Sequence, residues 1–155
     1  MTTPSFVVRP VNWNTSREHL QAIRRAVFIE EQHVPEELEW DAVDPSCYHV
    51  LALSADGTPI GTGRLVPDGH IGRMAVLKEW RGKGVGSAIL ETLLSYARME
   101  KFDTVKLHAQ THAVDFYRKH GFTASGKKFL EAGILHRHME IHLNTLSRES
   151  SRESG

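Results

Sequence analysis

The chain of 155 residues has little that would mark a secreted, membrane-bound or nucleic-acid-binding protein. Its single cysteine, Cys47, excludes an internal disulfide framework and fits a reducing compartment. No run of about 18 apolar residues is present, and the N-terminus lacks the apolar core of a signal peptide. Because 19 Lys and Arg residues balance 19 Asp and Glu residues, no general positive field favours nucleic acid. We therefore expect a cytoplasmic protein that uses neither nucleic acid nor a membrane.

Two familiar phosphate-binding patterns are incomplete in segment 81–86, Arg-Gly-Lys-Gly-Val-Gly. A Walker loop needs Ser or Thr after its lysine, and Lys83 is followed by Gly84. A dinucleotide-binding loop needs a third glycine where this chain has Ile89. The segment still joins an apolar run to a helical pattern, and the start of a helix presents backbone N–H groups to an anion. We therefore predict a phosphate-binding turn of another kind.

Turn and helix signals divide the chain into a regular series of elements. Asp-Gly pairs at 56–57 and 68–69 indicate hairpins. The expected elements are a strand over 6–9 ended by Pro10, a helix capped by Ser16, three adjacent antiparallel strands over 48–77, a helix over 84–101, a strand over 104–109, a helix over 111–120 ended by Gly121, and strands over 122–129 and 134–143. This order predicts an α/β (α+β) fold, with helices on both faces of a mixed, mostly antiparallel sheet of six to seven strands.

Further motifs surround the glycine segment and carry a family resemblance. Met74-Ala75-Val76 precede it, and the sequence Ala-Val-Asp-Phe-Tyr at 113–117 and Gly121-Phe122 follow it. In this order and spacing, residues 6–143 resemble the GNAT superfamily of N-acetyltransferases. Segments 24–41 and 129–139 are similar to its small bacterial members of the ElaA/YjcF type. The resemblance implies transfer of an acetyl group from acetyl-CoA to a primary amine, by direct attack in a ternary complex.

The resemblance also implies which residues bind the acyl donor. The pantetheine arm would lie along the backbone of β-strand residues Met74, Ala75 and Val76, like an added strand. The pyrophosphate would lie on the turn and helix start, which comprise Arg81, Gly82, Lys83, Gly84, Val85, Gly86 and Ser87. Gln110 and Tyr117 would complete the acetyl-CoA site. A plain strand–turn–helix, with glycines serving only chain reversal, is the alternative interpretation of this segment.

Two side chains are candidates for proton transfer. Tyr117 matches the position at which superfamily members place a tyrosine near the CoA sulfur, where a phenol could protonate or hydrogen-bond the departing thiolate. The alternative is an aromatic residue that packs in the core beside Phe116. His70 stands four residues before Met74, where histone-acetylating members use a glutamate as general base. A histidine is suited to that role, although a turn histidine in contact with solvent is an equal alternative.

The acceptor side is less specific. Glu31, Glu131 and His136 are the polar residues that we expect nearest the acceptor amine. Between Arg17 and Asp44 eight acidic residues face three arginines, and such an acidic rim would attract a cationic amine, although a solvated helix face explains most such runs.

Histidines at 136, 138 and 142 share one strand face, but no spacing completes a zinc set, so no metal is expected. We expect one domain over 1–146, a flexible polar tail over 147–155, and a possible homodimer. A catalytically idle acyl-CoA sensor is the alternative function.

Overall fold

The computed structural model describes residues 5–143, which contain seven strands and four α-helices. In chain order the elements are β1 (Phe6–Val11), α1 (Trp13–Arg24), a π-helical segment (Arg25–Glu31), α2 (Glu36–Glu39), β2 (Tyr48–Ser54), β3 (Pro59–Leu65), β4 (Ile71–Val76), α3 (Val85–Met99), β5 (Thr104–Gln110), α4 (Val114–Lys119), β6 (Thr123–Glu131) and β7 (Ile134–His142). Short 3₁₀ turns lie at Asp44–Ser46, Lys78–Trp80 and Thr111–Ala113. The predicted α/β class with seven strands is confirmed.

The chain divides within α3, between Leu93 and Leu94, into two compact units. The prediction of one domain over 1–146 remains a prediction, and the tail predicted over 147–155 lies outside the described residues. Within residues 5–143, no helix has the length and apolar character needed to span a bilayer.

The first unit contains a four-stranded antiparallel sheet in the order β1-β2-β3-β4. The three adjacent strands predicted from the two Asp-Gly turns are confirmed. Gly57 and Gly69 have φ of +86° and +97°, the left-handed conformation that these tight turns require and that glycine adopts without a steric cost.

Helix α1 covers one face of this sheet. Its apolar side chains Leu20 and Ile23 are buried, and they cluster with Leu51 of β2 and Ala75 of β4. The cross-strand register aligns Leu51 with Thr62 of β3, and Thr62 with Ala75, so these side chains form one row on the α1 face.

The start of α3 covers the opposite face, where two glycines in β3 allow a close approach. A Cβ at Gly63 would lie 2.8 Å from Ile89 Cγ2 and 3.1 Å from Leu93 Cδ1. A Cβ at Gly61 would lie 3.0 Å from Ile89 Cδ1 and 3.2 Å from Val85 Cγ1. Only glycine lets the helix sit this near to the strand, and the predicted arrangement of helices on both faces is confirmed for this sheet.

Two predicted boundaries in the first unit are wrong. β1 continues through Pro10 to Val11, because β1 is at the edge of the sheet, where a missing N–H leaves no neighbour unpaired. Helix α1 is capped by Asn12 and not by Ser16. The Asn12 side chain accepts a hydrogen bond from Asn14 N–H at 2.8 Å, whereas Ser16 N–H donates to the Asn12 carbonyl at 2.9 Å from inside the first turn.

The second unit contains a three-stranded antiparallel sheet in the order β5-β7-β6. The hairpin between β6 and β7 turns at Ala132 and Gly133, which both have positive φ. The helix predicted over 111–120 is a 3₁₀ turn followed by α4. Gly121 ends it as predicted, with φ of +99° and with Phe122 N–H donating to the Tyr117 carbonyl at 3.2 Å.

Candidate active site

β4, a glycine turn and α3 follow one another in the first unit. Gly82 and Gly84 have left-handed φ of +76° and +87°. Ala88 N–H donates to the Gly84 carbonyl at 3.1 Å, so the N–H groups of residues 85–87 belong to the first turn of α3. In an α-helix the N–H groups of this turn point out of the helix end, where the helix dipole is positive.

The glycine turn leaves space for a ligand against its backbone. Apart from adjoining residues, no described heavy atom lies within 4 Å of the position that a Cβ would take at Gly82 or Gly84. The first turn of α3, which is fully described, holds no acidic residue that would repel an anion. These residues therefore fit a phosphate-bearing ligand such as the pyrophosphate of acyl-CoA.

Arg81 contacts a carboxylate at this turn. Its two terminal nitrogens lie 2.6 and 2.7 Å from the oxygens of Glu31, and its Nε donates to the Val76 carbonyl at 2.9 Å. The Arg81 hydrogen bonds hold the pKa of Glu31 below its usual range, and the Glu31 carboxylate raises the pKa of Arg81. The structure thus pairs Arg81, predicted to bind the cofactor, with Glu31, predicted to lie near the acceptor. An anion that approaches Arg81 would compete with the Glu31 carboxylate for it.

Lys83, the other cation predicted at the turn, donates to the backbone carbonyl of Glu79 at 3.1 Å. The amino group is therefore held within its own loop. The positive character of the turn depends on backbone N–H groups as much as on side chains.

Met74, Ala75 and Val76 form the second half of β4, the terminal strand of its sheet. Ala75 pairs with Thr62, and Val76 pairs with Gly61. This pairing uses the backbone groups on the side of β4 that faces β3. A terminal strand presents a second row of backbone groups on its other side, and a pantetheine arm bound like a strand would require such a row.

His70, the predicted general base, lies at the turn between β3 and β4. Its backbone N–H donates to Asp68 Oδ1 at 3.0 Å, and its Nδ1 is 3.0 Å from the same oxygen. Its carbonyl accepts a hydrogen bond from Val66 N–H at 2.8 Å. The ring is therefore held against a carboxylate in a hairpin turn, and its role as a base stays a prediction.

Tyr117 lies on α4 in the second unit, between two aromatic rings. The Phe116 ring is 5.1 Å and the Phe122 ring 5.9 Å from it, both in edge-to-face geometry. Burial raises the pKa of the Tyr117 phenol to about 12. The group therefore remains protonated at neutral pH. Gln110, at the end of β5, accepts a hydrogen bond from His112 Nε2 through its side-chain oxygen, at 2.8 Å.

Glu131 and His136, predicted near the acceptor, lie on the β6–β7 hairpin and contact each other. His136 Nε2 is 3.8 Å from one Glu131 oxygen. The other Glu131 oxygen is 2.9 Å from Nδ1 of His108, a residue of β5 that the sequence did not single out. His136 is buried and Glu131 is exposed.

The acidic rim predicted over residues 17–44 is wrong, because arginines neutralise most of it. Five of its eight carboxylates form ion pairs with arginines: Glu31 with Arg81, Glu36 with Arg25, Glu39 with Arg24 and Arg73, Asp41 with Arg64 and Arg73, and Asp44 with Arg24 and Arg64. Three of these arginines come from beyond the counted segment, so a count along the chain could not include them.

The carboxylates of this network differ in how burial affects them. Burial raises the pKa of Glu39 and outweighs the opposing attraction of Arg73 and Arg24. Burial also acts to raise the pKa of Asp41, but the hydrogen bond from Arg64 and the nearby charges hold it below its ordinary value.

Arg24 was missed as a core residue, although the sequence contains a signal for it. It follows Leu20 by four positions and precedes Val27 by three, which places a charge on the apolar stripe of α1. A long charged residue on such a stripe calls for buried anionic partners.

Asp44, Cys47 and His49 bring three potential metal ligands within 4.8 Å of one another, but their hydrogen bonds do not suit a cation. His49 Nε2 is 2.8 Å from the Asp44 carbonyl oxygen, so that nitrogen carries a proton. Burial raises the pKa of Cys47 to about 11, which keeps the thiol protonated, and Asp44 already receives two arginines. The trio is a structural cluster at the start of β2.

Comparison with known proteins identifies the family. The model of the acetyltransferase (GNAT) domain matches residues 14–143. The uncharacterized N-acetyltransferase YjcF of Bacillus subtilis is 40% identical over 121 residues, covering 76% of this chain and 86% of that protein.

Two solved structures are similar to this chain throughout their length. Escherichia coli ElaA has a TM-score of 0.78 and 25% identity, covering 89% of this chain and 100% of that one. An acyl-CoA N-acyltransferase from Pseudomonas aeruginosa has a TM-score of 0.74 and 29% identity, covering 89% and 99%. This chain therefore belongs to the GNAT acetyltransferase family, which in general transfers acyl groups from acyl-CoA.

Proposed function

We propose that this protein transfers an acetyl group from acetyl-CoA to a primary amine of a small molecule or peptide. The observation that carries the proposal is the open glycine turn at the start of α3, directly after β4, in a chain of the GNAT family. The names of two relatives, an N-acetyltransferase and an acyl-CoA N-acyltransferase, support nitrogen as the acceptor atom and acyl-CoA as the donor.

The proposed donor site uses backbone groups. The pyrophosphate is held by N–H groups of residues 82–87, and the pantetheine arm pairs with the backbone of residues 74–76. N–H groups of β4 also stabilise the negative charge that develops on the thioester oxygen when the amine attacks. Arg81 adds charge at the turn only to the extent that the phosphate displaces Glu31 from it.

Tyr117 is assigned to the departing thiolate as a hydrogen-bond donor. Its pKa of about 12 bears on the nature of that step. A free thiol has a pKa near 8.5, so complete proton transfer from the phenol to the thiolate would be uphill by about 5 kcal/mol. A hydrogen bond from the neutral phenol stabilises the leaving sulfur without that cost, and the sulfur then takes its proton from solvent or from the attacking nitrogen, which becomes the amide nitrogen.

Thiol release across an amine panel tests the proposal. Polyamines, amino sugars, aminoglycosides, amino acids and peptides are each mixed with acetyl-CoA and protein. We expect release that depends on one class of amine. Binding of acetyl-CoA without release from any amine would favour the alternative of an idle acyl-CoA sensor.

A matched pair of glycine variants tests the donor site directly. Gly84 and Gly57 have φ of +87° and +86°, and apart from adjoining residues neither has a described heavy atom within 4 Å of its Cβ position. Gly84→Ala and Gly57→Ala therefore introduce the same backbone strain, one at the glycine turn and one in the β2–β3 hairpin. In isothermal titration, Gly84→Ala should weaken acetyl-CoA binding at least tenfold, while Gly57→Ala should bind like the wild type. Equal affinities in the two variants would overturn the assignment of this turn.

A further inference from the structure

A histidine-rich face of the three-stranded sheet brings together side chains from all three strands. The register places His136 of β7 opposite Gln110 of β5 and Phe129 of β6, and it places His138 opposite His108. Residues directly opposite one another in a sheet have side chains on the same face. His108, His136 and Glu131 therefore share one face within the second unit, and their hydrogen bonds organise them further.

The hydrogen bond of His136 fixes its tautomer. This residue is only 7% exposed, and its Nδ1 lies 2.7 Å from the Ile134 carbonyl oxygen. Because a carbonyl oxygen only accepts hydrogen bonds, Nδ1 must carry the proton. In the neutral ring Nε2 then holds a lone pair. The Nε2 atom lies 3.8 Å from a Glu131 carboxylate oxygen.

Glu131 is in turn held by His108. Nδ1 of His108 lies 2.9 Å from the other Glu131 oxygen, and a carboxylate accepts, so His108 donates from Nδ1. The Phe129 ring contacts both imidazoles: it stacks on His136 at 6.0 Å between centroids and meets His108 edge-on at 5.0 Å. These contacts restrict both rings.

We propose that His136 Nε2 is the proton acceptor for the amine substrate, with Glu131 stabilising the imidazolium that forms and His108 orienting Glu131. A basic nitrogen beside a carboxylate that a third residue orients is an arrangement that favours proton uptake. The one lone pair of the neutral Nε2 takes the proton of the amine, and the negative charge of the Glu131 carboxylate, 3.8 Å from Nε2, stabilises the positive ring that results.

The proton balance is complete within the proposed reaction, on which this inference rests. The substrate ammonium gives one proton to His136 Nε2 and becomes a neutral amine. The amine nitrogen forms a bond to the thioester carbon, the carbon–sulfur bond breaks, and the amide nitrogen and the imidazolium release their protons to the thiolate and to solvent. On β5 and β7 the other titratable groups of this face are Lys106, His138, Glu140 and His142.

Variants of two histidines on the same strand face test the proposal. His136→Gln removes the acceptor, and His142→Gln, at an exposed position beside Thr104, serves as the control. We expect His136→Gln to lower kcat/KM at least tenfold at neutral pH, with a smaller loss at high pH, where the amine is already neutral. Acetyl-CoA binding should not change in either variant, and His142→Gln should keep the wild-type rate. A His136→Gln variant with the wild-type rate and pH profile would overturn the proposal.

Glu131→Gln distinguishes a role of Glu131 in proton transfer from a role in stabilising the fold alone. Loss of the carboxylate removes its stabilisation of the imidazolium, so kcat should fall at least threefold while KM for the amine stays within twofold. Nitrogen NMR of the neutral His136 ring should show its proton on Nδ1 and none on Nε2. This NMR result requires no turnover, so a neutral ring with its proton on Nε2 overturns the inference on its own. Absence of thiol release by the wild type from every amine would instead count against the proposed function.

Discussion

Arg24 and Asp44 form an ion pair inside the first unit, with Arg24 Nη1 2.9 Å from Asp44 Oδ1 and side chains only 1% and 2% exposed. Arg24 also donates to the Glu39 carboxylate and to the Glu39 carbonyl oxygen, and Asp44 receives a second arginine, Arg64, at 2.6 Å. Charges buried at this depth require partners, because an unpaired charge would retain its full desolvation cost. The network therefore connects α1 to the segment before β2 and to β3.

Arg24→Ala should destabilise the protein strongly, because it removes one of the two arginines that pair with each of the buried carboxylates Glu39 and Asp44. We expect a loss of about 3–5 kcal/mol in the free energy of unfolding. Arg25→Ala is the matched control, since Arg25 is the next residue and its ion pair with Glu36 is half-exposed. Its loss should be much smaller, because exposed ion pairs contribute little. Urea unfolding followed by circular dichroism measures both, and equal midpoints for the two variants would contradict this description of the network.

Gly63→Ala should destabilise the packing of α3 against β3. The added methyl group would lie 2.8 Å from Ile89 and 3.1 Å from Leu93, both of which are fully buried and cannot move away freely. Overpacking of this kind costs about 1–3 kcal/mol. Gly72→Ala in β4 is the control, because no described heavy atom lies within 4 Å of its Cβ position. Thermal unfolding should show a lower Tm for Gly63→Ala than for Gly72→Ala. Equal changes in Tm for the two variants would mean that the close approach of α3 to β3 has no energetic consequence.

Cys47 should react slowly in the folded protein. Burial raises its pKa to about 11, and its Sγ contacts the Val43 carbonyl oxygen at 3.4 Å. A rise of about two pKa units lowers the reactive thiolate fraction about a hundredfold near pH 8. Because the chain has one cysteine, alkylation by iodoacetamide reports this residue alone. We expect the native rate to be at least a hundredfold below the rate in urea, and similar rates would be inconsistent with the half-buried, protonated thiol.

Tyr117→Phe should slow turnover without loss of donor binding. The phenol is assigned to the leaving sulfur, while the ring contacts with Phe116 and Phe122 do not require the hydroxyl group. We expect kcat to fall at least tenfold and acetyl-CoA affinity in isothermal titration to stay within twofold. Tyr96→Phe, a second tyrosine of the same unit, should keep the wild-type kcat. An unchanged kcat in an active Tyr117→Phe preparation would remove Tyr117 from the mechanism.

Local signals predicted the two Asp-Gly hairpins and the end of α4 at Gly121, because a glycine with positive φ specifies a turn without help from the rest of the chain. The predictions that Pro10 ends β1 and that Ser16 caps α1 were wrong because each local pattern was interpreted without its surroundings. A proline ends an interior strand but not an edge strand, and a serine caps a helix only when no better residue, here Asn12, stands earlier. Both depend on neighbours that the local pattern does not contain.

Site residues were harder to predict because their partners are distant in sequence. The partner of Glu31 is Arg81, 50 positions further along the chain, and His108 is 23 positions from Glu131. Spacing and composition indicate which residues carry charge, but only the fold determines which charges meet. Most of the acidic excess over residues 17–44 is neutralised for this reason.

The most direct test of the proposed function is a paired measurement on one reaction mixture of protein, acetyl-CoA and the best amine of the panel. Thiol release gives the CoA formed, and mass spectrometry gives the acetylated amine and the mass of the protein. Direct transfer predicts one acetylated amine for each thiol released, with the protein itself unmodified. Thiol release without acetylated amine, or no acetyl-CoA-dependent product with any amine, would contradict it.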